Sequence, residues 1–275
     1  MRRSRGIART FGWLVLHIAV AGVTLGGVAT RPAEAQQPPT FSISPRFYMT
    51  WIESSEFYEP VDLPLWGLTL SVAPLSNWDF VVNGLYGEGD SRFRAAGLNP
   101  EFGFGGPGHV DVKRGDIELL ARYRIPDTPV FLIIGGRYVR FEEEFHLRET
   151  NVNFFAGTVE ETTTNLYFGE VGAGFATAIS KDGRHSAFGN AVFGFGAFDF
   201  ESRPKNCRFE CTRLTDDGFA FLVDTNIGYQ FSIADWVNVG VRYRVIAVQR
   251  QGDRERAERD LAVVHGPELA VTFRF

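Results

Sequence analysis

The 275-residue chain predicts an all-β fold: one antiparallel up-and-down barrel of about ten strands, with eight as the fallback count. Three observations carry this. From Phe41 to Phe275 apolar and polar residues alternate with period two, the spacing of half-buried strands. Connections between the alternating segments are by turns short and long, as in an up-and-down barrel. The first 35 residues read as an export leader and take no part in the fold.

The leader comes first in order. Arg2, Arg3, Arg5 and Arg9 precede a charge-free run from Phe11 to Thr30, and Ala33-Glu34-Ala35 places small residues where a signal peptidase reads. A membrane anchor is the competing reading, and Gly22, Gly26, Gly27 and Pro32 weigh against it. Residues 1–35 are therefore expected to be a signal peptide and 36–275 one domain. Removing five Arg and one Glu leaves 23 bases and 32 acids, a net charge of −9. That excludes nucleic acid as an expected partner, because phosphate binding needs a basic face. Cys207 and Cys211, an even pair in an exported chain, are expected to form a loop disulfide. A zinc site there would need two further ligands nearby, and the sequence implies no cofactor.

The segments follow in turn. In the first, Phe41, Ile43, Phe47, Met49 and Trp51 oppose Ser42, Ser44, Arg46, Tyr48 and Thr50. Trp66, Leu68, Leu70 and Val72 share a face in the second, and Trp78, Phe80, Val82 and Tyr86 in the third. The fourth sets Ile117, Leu119, Ala121 and Tyr123 against Asp116, Glu118, Arg122 and Arg124. The fifth and sixth put Leu132, Ile134 and Tyr138 opposite Arg137, and Val171, Ala173 and Phe175 opposite Glu170. The seventh, Ala187 to Phe200, carries Phe on both faces. The ninth opposes Val237, Val239, Val241, Tyr243 and Val245 to Arg242 and Arg244, and the tenth opposes Leu269, Val271 and Phe273 to Glu268 and Arg274.

The eighth segment scales the barrel. Phe219, Phe221, Val223, Thr225, Ile227, Tyr229 and Phe231 share one face, aromatic at both ends. A strand from Phe219 to Tyr229 is about 33 Å long and, tilted by about 40°, rises about 25 Å, the height of a membrane barrel's apolar band. Short turns are expected at 75–77, 126–128, 180–186 and 234–235. Long loops are expected at 54–63, 88–111, 142–164, 201–217 and 247–264.

A soluble barrel alternates too, so the inner face must be argued. Of 28 basic residues only Lys113, Lys181 and Lys205 are lysine, which does not suit an ordinary wet exterior. Aromatics cluster at the ends of the apolar face, and the chain closes on Val271-Thr272-Phe273-Arg274-Phe275. With its leader, its even set of strands and its terminal Phe275, the chain resembles the bacterial outer-membrane β-barrel superfamily over residues 41–275. The resemblance implies an outer-membrane location, a lipid environment, and a barrel assembly machinery that reads a last strand ending in Phe273 and Phe275. Pro45 departs from the pattern and predicts a bulge or a later start to the first strand.

If the apolar face meets lipid, Arg46, Glu118, Arg122, Arg137, Glu170, Asp224, Arg242 and Glu268 line the lumen near mid-height. In a barrel of about ten strands such charges must pair or stay hydrated, so a salt-bridged plug is expected. The first expected role is structural, or recognition of an extracellular ligand through the long loops. A narrow channel is the alternative.

Other motifs are weaker. Gly103-Phe104-Gly105-Gly106-Pro107-Gly108 spells a dinucleotide fingerprint, but it sits in a loop. Arg114-Gly115-Asp116 spells an integrin tripeptide inside a strand. The run from Arg250 to Asp260 reads as a charged loop tip with i,i+4 pairs. Outer-membrane proteases carry an Asp–His couple and paired carboxylates at the rim. Here the rim offers His146, His265 and Asp199 without that spacing, so a rim hydrolase is the third reading and the expectation is no enzyme.

Overall fold

The computed structural model describes residues 41–54, 60–94, 107–147, 159–205, 213–252 and 258–275. Alternation folds them into ten strands: β1 (Phe41–Ser54), β2 (Val61–Leu75), β3 (Trp78–Arg94), β4 (Pro107–Arg124), β5 (Val130–Leu147), β6 (Val159–Ala178), β7 (His185–Pro204), β8 (Leu214–Ala234), β9 (Val237–Gly252) and β10 (Glu258–Arg274). Each pairs antiparallel with its sequence neighbours, and β1 pairs with β10 to close the barrel. Ten strands, not the fallback eight, close the sheet.

The strands are longer than the sequence reading drew them. β6 and β7 have 20 residues each and β8 has 21. A 20-residue strand is about 66 Å long and rises about 50 Å at a tilt of about 40°, twice the apolar band of roughly 25 Å. Much of the segments expected to be loops, such as 88–94, 142–147 and 247–252, is therefore sheet. The barrel continues well past the bilayer at its long-loop end.

The reason is a swap of chemistry between the two faces. In the membrane band, outward side chains are apolar: Trp66, Leu68, Phe80, Val82, Ile117, Leu119, Ile134 and Val171 are all exposed. Above it the period of two persists with its faces exchanged. Val110 and Val112 point inward between outward His109, Asp111 and Lys113, whereas from the next inward position on Arg114, Asp116 and Glu118 point inward between Gly115, Ile117 and Leu119. On β2, Val61, Leu63 and Leu65 are buried inside and Trp66 is exposed outside. Lipid dictates apolar-outward below, and water dictates apolar-inward above.

Pro45 produces no bulge. β1 begins at Phe41 and keeps one register with β10 from Ser42↔Arg274 to Ser54↔Ala262. The ladder instead skips a step, from Ile43↔Phe273 to Arg46↔Ala270, and the Ser44 hydroxyl donates to Thr272 Oγ1 at 2.8 Å in the gap. A second step is skipped between Tyr48↔Glu268 and Trp51↔His265, where Pro267 lies. Both prolines thus fall on the closing seam, each where one ladder bond is given up.

Candidate functional site

The eight charges expected in the lumen all lie on inward-facing positions, joined by Asp79, Arg114, Asp116 and Arg244. Arg137 of β5 is the centre. Its guanidinium meets Glu118 of β4, Glu170 of β6 at 2.9 Å and Asp224 of β8 at 2.6 Å. Arg244 pairs with Asp224 at 2.5 Å and stands 4.0 Å from Glu118. Glu268 holds Arg242 at 2.6 Å and Arg46 at 3.3 Å, across the seam. Arg114 pairs with Asp116 at 2.9 Å and lies over the Phe141 ring at 5.1 Å; Arg122 stands 3.9 Å from Asp79. Asn83 donates to Glu118, and Asn226 donates to Asn190 at 2.6 Å. Planar guanidinium forks suit this multiple pairing, which explains the preference for Arg over Lys.

Above the charges the lumen is filled by apolar side chains. Tyr48, Ile52, Leu63, Leu65, Val112, Val139, Leu166, Phe198, Leu222, Ile246 and Val264 are buried in one cluster, with Phe141, Phe145 and Phe200 packed against it. A smaller cluster of Val81, Leu120, Ile133 and Val192 packs against Phe131. Tyr48 joins the two upper layers: wholly buried, it donates to the Arg244 carbonyl at 3.1 Å. The apolar layer is not among the sequence expectations. The signal is present in the alternating Val61, Leu63 and Leu65 before Trp66 and in Val110 and Val112 before Arg114.

The remaining sequence candidates are scattered. Arg114 and Asp116 of the integrin tripeptide point inward and bind each other, so that motif offers nothing outside. His265 sits on the outer wall, 5.8 Å from Trp51 by ring centroids and bonded to the Tyr243 hydroxyl at 2.8 Å. His146 is also on the outer wall, with Asp111 and Glu144. Asp199 faces outward and accepts from Asn165 at 2.7 Å. These three belong to different parts of the wall and form no common site. The charged run expected as a loop tip is strand at both ends: Arg250 lies on β9 and donates to Thr164 at 3.2 Å, and β10 starts at Glu258. Cys207 and Cys211, the leader and Gly103–Gly106 lie outside the described residues.

The two ends of the membrane band carry aromatic contacts. At the short-turn end Trp78 packs on Tyr123 at 5.2 Å, Trp236 on Phe273 at 6.4 Å and Phe41 on Phe275 at 6.0 Å. The Phe275 amide donates to the Phe41 carbonyl at 2.9 Å, tying the last residue to the first strand. Below the band, in the β6–β7 turn, the Ser180 hydroxyl and the Arg184 amide hold the Asp182 carboxyl below its usual range. Above it, Arg203 and Arg213 do the same for Glu201.

This arrangement is the fold of bacterial outer-membrane β-barrels. The outer-membrane protease OmpT of Escherichia coli is similar at TM-score 0.55 and 7% identity, over 86% of this chain and 94% of that one. The translocator domain of the autotransporter NalP from Neisseria meningitidis is similar at TM-score 0.50 and 7% identity, over 98% of both chains. No family model matches the sequence, and no curated protein matches it. The fold is thus shared with proteins of unlike activity.

Proposed function

We propose that this protein is a sealed outer-membrane barrel with a structural or surface-recognition role, and that its projecting upper half and loops are the working surface. One observation carries the reading: the lumen is closed twice, by a neutral ion-paired layer and by an apolar layer above it. Six arginines and six carboxylates pair within the first. An ion crossing the barrel would have to break that network and then enter a hydrocarbon-like core, and isolated charge in such a core is very costly. The outward placement of His146 and His265 supports a non-enzymatic role.

The test is single-channel recording of the refolded chain in a planar bilayer. A silent protein that nonetheless resists unfolding in detergent fits the sealed barrel. Discrete, reproducible current steps would overturn it in favour of a narrow channel.

A further inference from the structure

We propose that His109 and His146 form a binding site for a divalent transition metal of the Zn²⁺, Ni²⁺ or Cu²⁺ class, on the outer wall above the bilayer. The two histidines are directly opposed across the β4–β5 ladder. Directly opposed residues carry their Cβ atoms about 4.5–5.5 Å apart, the reach two imidazoles need to share one ion. Both rings turn Nε2 toward a single carboxylate: His109 to Asp111 Oδ1 at 2.8 Å, and His146 to Asp111 Oδ2 at 3.2 Å. The ring centroids are 6.1 Å apart. Two imidazoles on one tetrahedral metal, with metal–nitrogen bonds of about 2.0–2.1 Å, have centroids about 5 Å apart. Closing that difference of about 1 Å takes only a small turn of side chains that are 28% and 35% exposed.

The surroundings favour a cation. Asp62, Asp90, Asp111, Glu144 and Glu161 are register partners in sequence across five strands, β2 to β6. Like charges directly opposite one another are destabilising, and their summed field concentrates cations. A cavity of about 410 Å³ opens beside Asp111, where Asp90, Glu144 and Glu161 of this row, further acidic side chains and Lys113 line it. Lys205 engages Glu144 at 3.4 Å and Glu161 at 3.3 Å, Glu144 also stands 3.7 Å from His146 Nε2, and Asp111 is the carboxylate that reaches both rings. Among the described residues no three His, Cys, Asp or Glu side chains stand grouped as metal ligands. The imidazole pair therefore carries the affinity, water fills the other positions, and Asp111 supplies compensating charge. Nitrogen donors select borderline transition metals over Ca²⁺ or Mg²⁺, which want an all-oxygen shell.

Calorimetric titration of the refolded barrel with NiCl₂ or ZnCl₂ at slightly alkaline pH tests this. One saturable equivalent per chain is expected. His109→Asn and His146→Asn should each weaken it by at least about tenfold, the scale that loss of even an outer-shell partner costs. His185→Asn and His265→Asn, elsewhere on the wall, should leave it unchanged, and heat-modifiable gel migration reports that each variant is folded. Absence of saturable binding to the parent barrel overturns the proposal, as does binding that survives both His109→Asn and His146→Asn.

Discussion

Arg137 and Asp224 meet at 2.6 Å although two whole strands, β6 and β7, separate their own in the wall. Their contact crosses the lumen instead of running along the sheet. It makes the charged layer a strut between distant staves of the barrel, not a lining.

Removing that strut should be costly. Arg137→Met leaves Glu118, Glu170 and Asp224 short of a partner, and breaking a buried pair from one side costs about 3–5 kcal/mol. Urea unfolding of the refolded barrel would measure it. Adding Glu170→Gln to Arg137→Met should recover part of the loss, because one stranded charge disappears. Full additivity of the two changes would count against the network.

The same Arg137→Met variant should remain electrically silent. The apolar layer above, with Leu166, Leu222 and Phe198, still closes the lumen. Planar-bilayer recording distinguishes two serial seals from one, since current from the single variant would assign the whole barrier to the charges.

Gly266 is the seam position least tolerant of a side chain. Its φ of +153° is one that L side chains rarely adopt, and an added Cβ would come 1.9 Å from the Met49 carbonyl oxygen. Gly266→Ala should destabilise closure by about 1–3 kcal/mol or more, seen as a lower temperature of gel-shift loss. Gly84→Ala and Gly115→Ala, where a Cβ meets nothing within 4 Å, should be nearly neutral.

Glu201 should titrate below the ordinary carboxylate range, because the Arg203 and Arg213 guanidinium groups donate to it. A carboxyl so depressed contributes stability above its unfolded pKa and loses that contribution as pH falls through the folded value. Arg213→Ala should move the midpoint back up, as read by carboxyl carbon NMR. The pair is exposed and solvent-screened, so the midpoint is the informative observable and overall stability is not.

The sequence was most legible where one face meets lipid. The outward rows of β8 and β9 and the inward placement of Arg137, Glu170 and Asp224 follow from alternation alone. It was least legible above the bilayer, where Glu88, Glu142 and Glu201 read as loop residues because charge is expected in loops. Those residues are outward strand positions, balanced by inward Leu85, Val139 and Phe198. Period two is unbroken there, but the apolar row turns inward past the point where lipid ends. The inward facing of Asp116 is legible too, because it shares the polar row of Glu118 and Arg122. Pairing across the lumen, as between Arg137 and Asp224, leaves no trace in a strand-by-strand pattern.

The exchange of faces along each strand also gives the barrel a waterline. Trp66 on β2, Tyr86 on β3, Tyr167 on β6 and Phe219 on β8 mark where outward apolar residues stop. Sinking the barrel would drag Glu88, Asp90 and Glu142 into hydrocarbon, and raising it would strand Leu68, Val82 and Leu119 in water. Immersion depth and tilt are therefore held on all sides by opposing penalties, so the projecting crown stands at a fixed height and angle over the membrane surface.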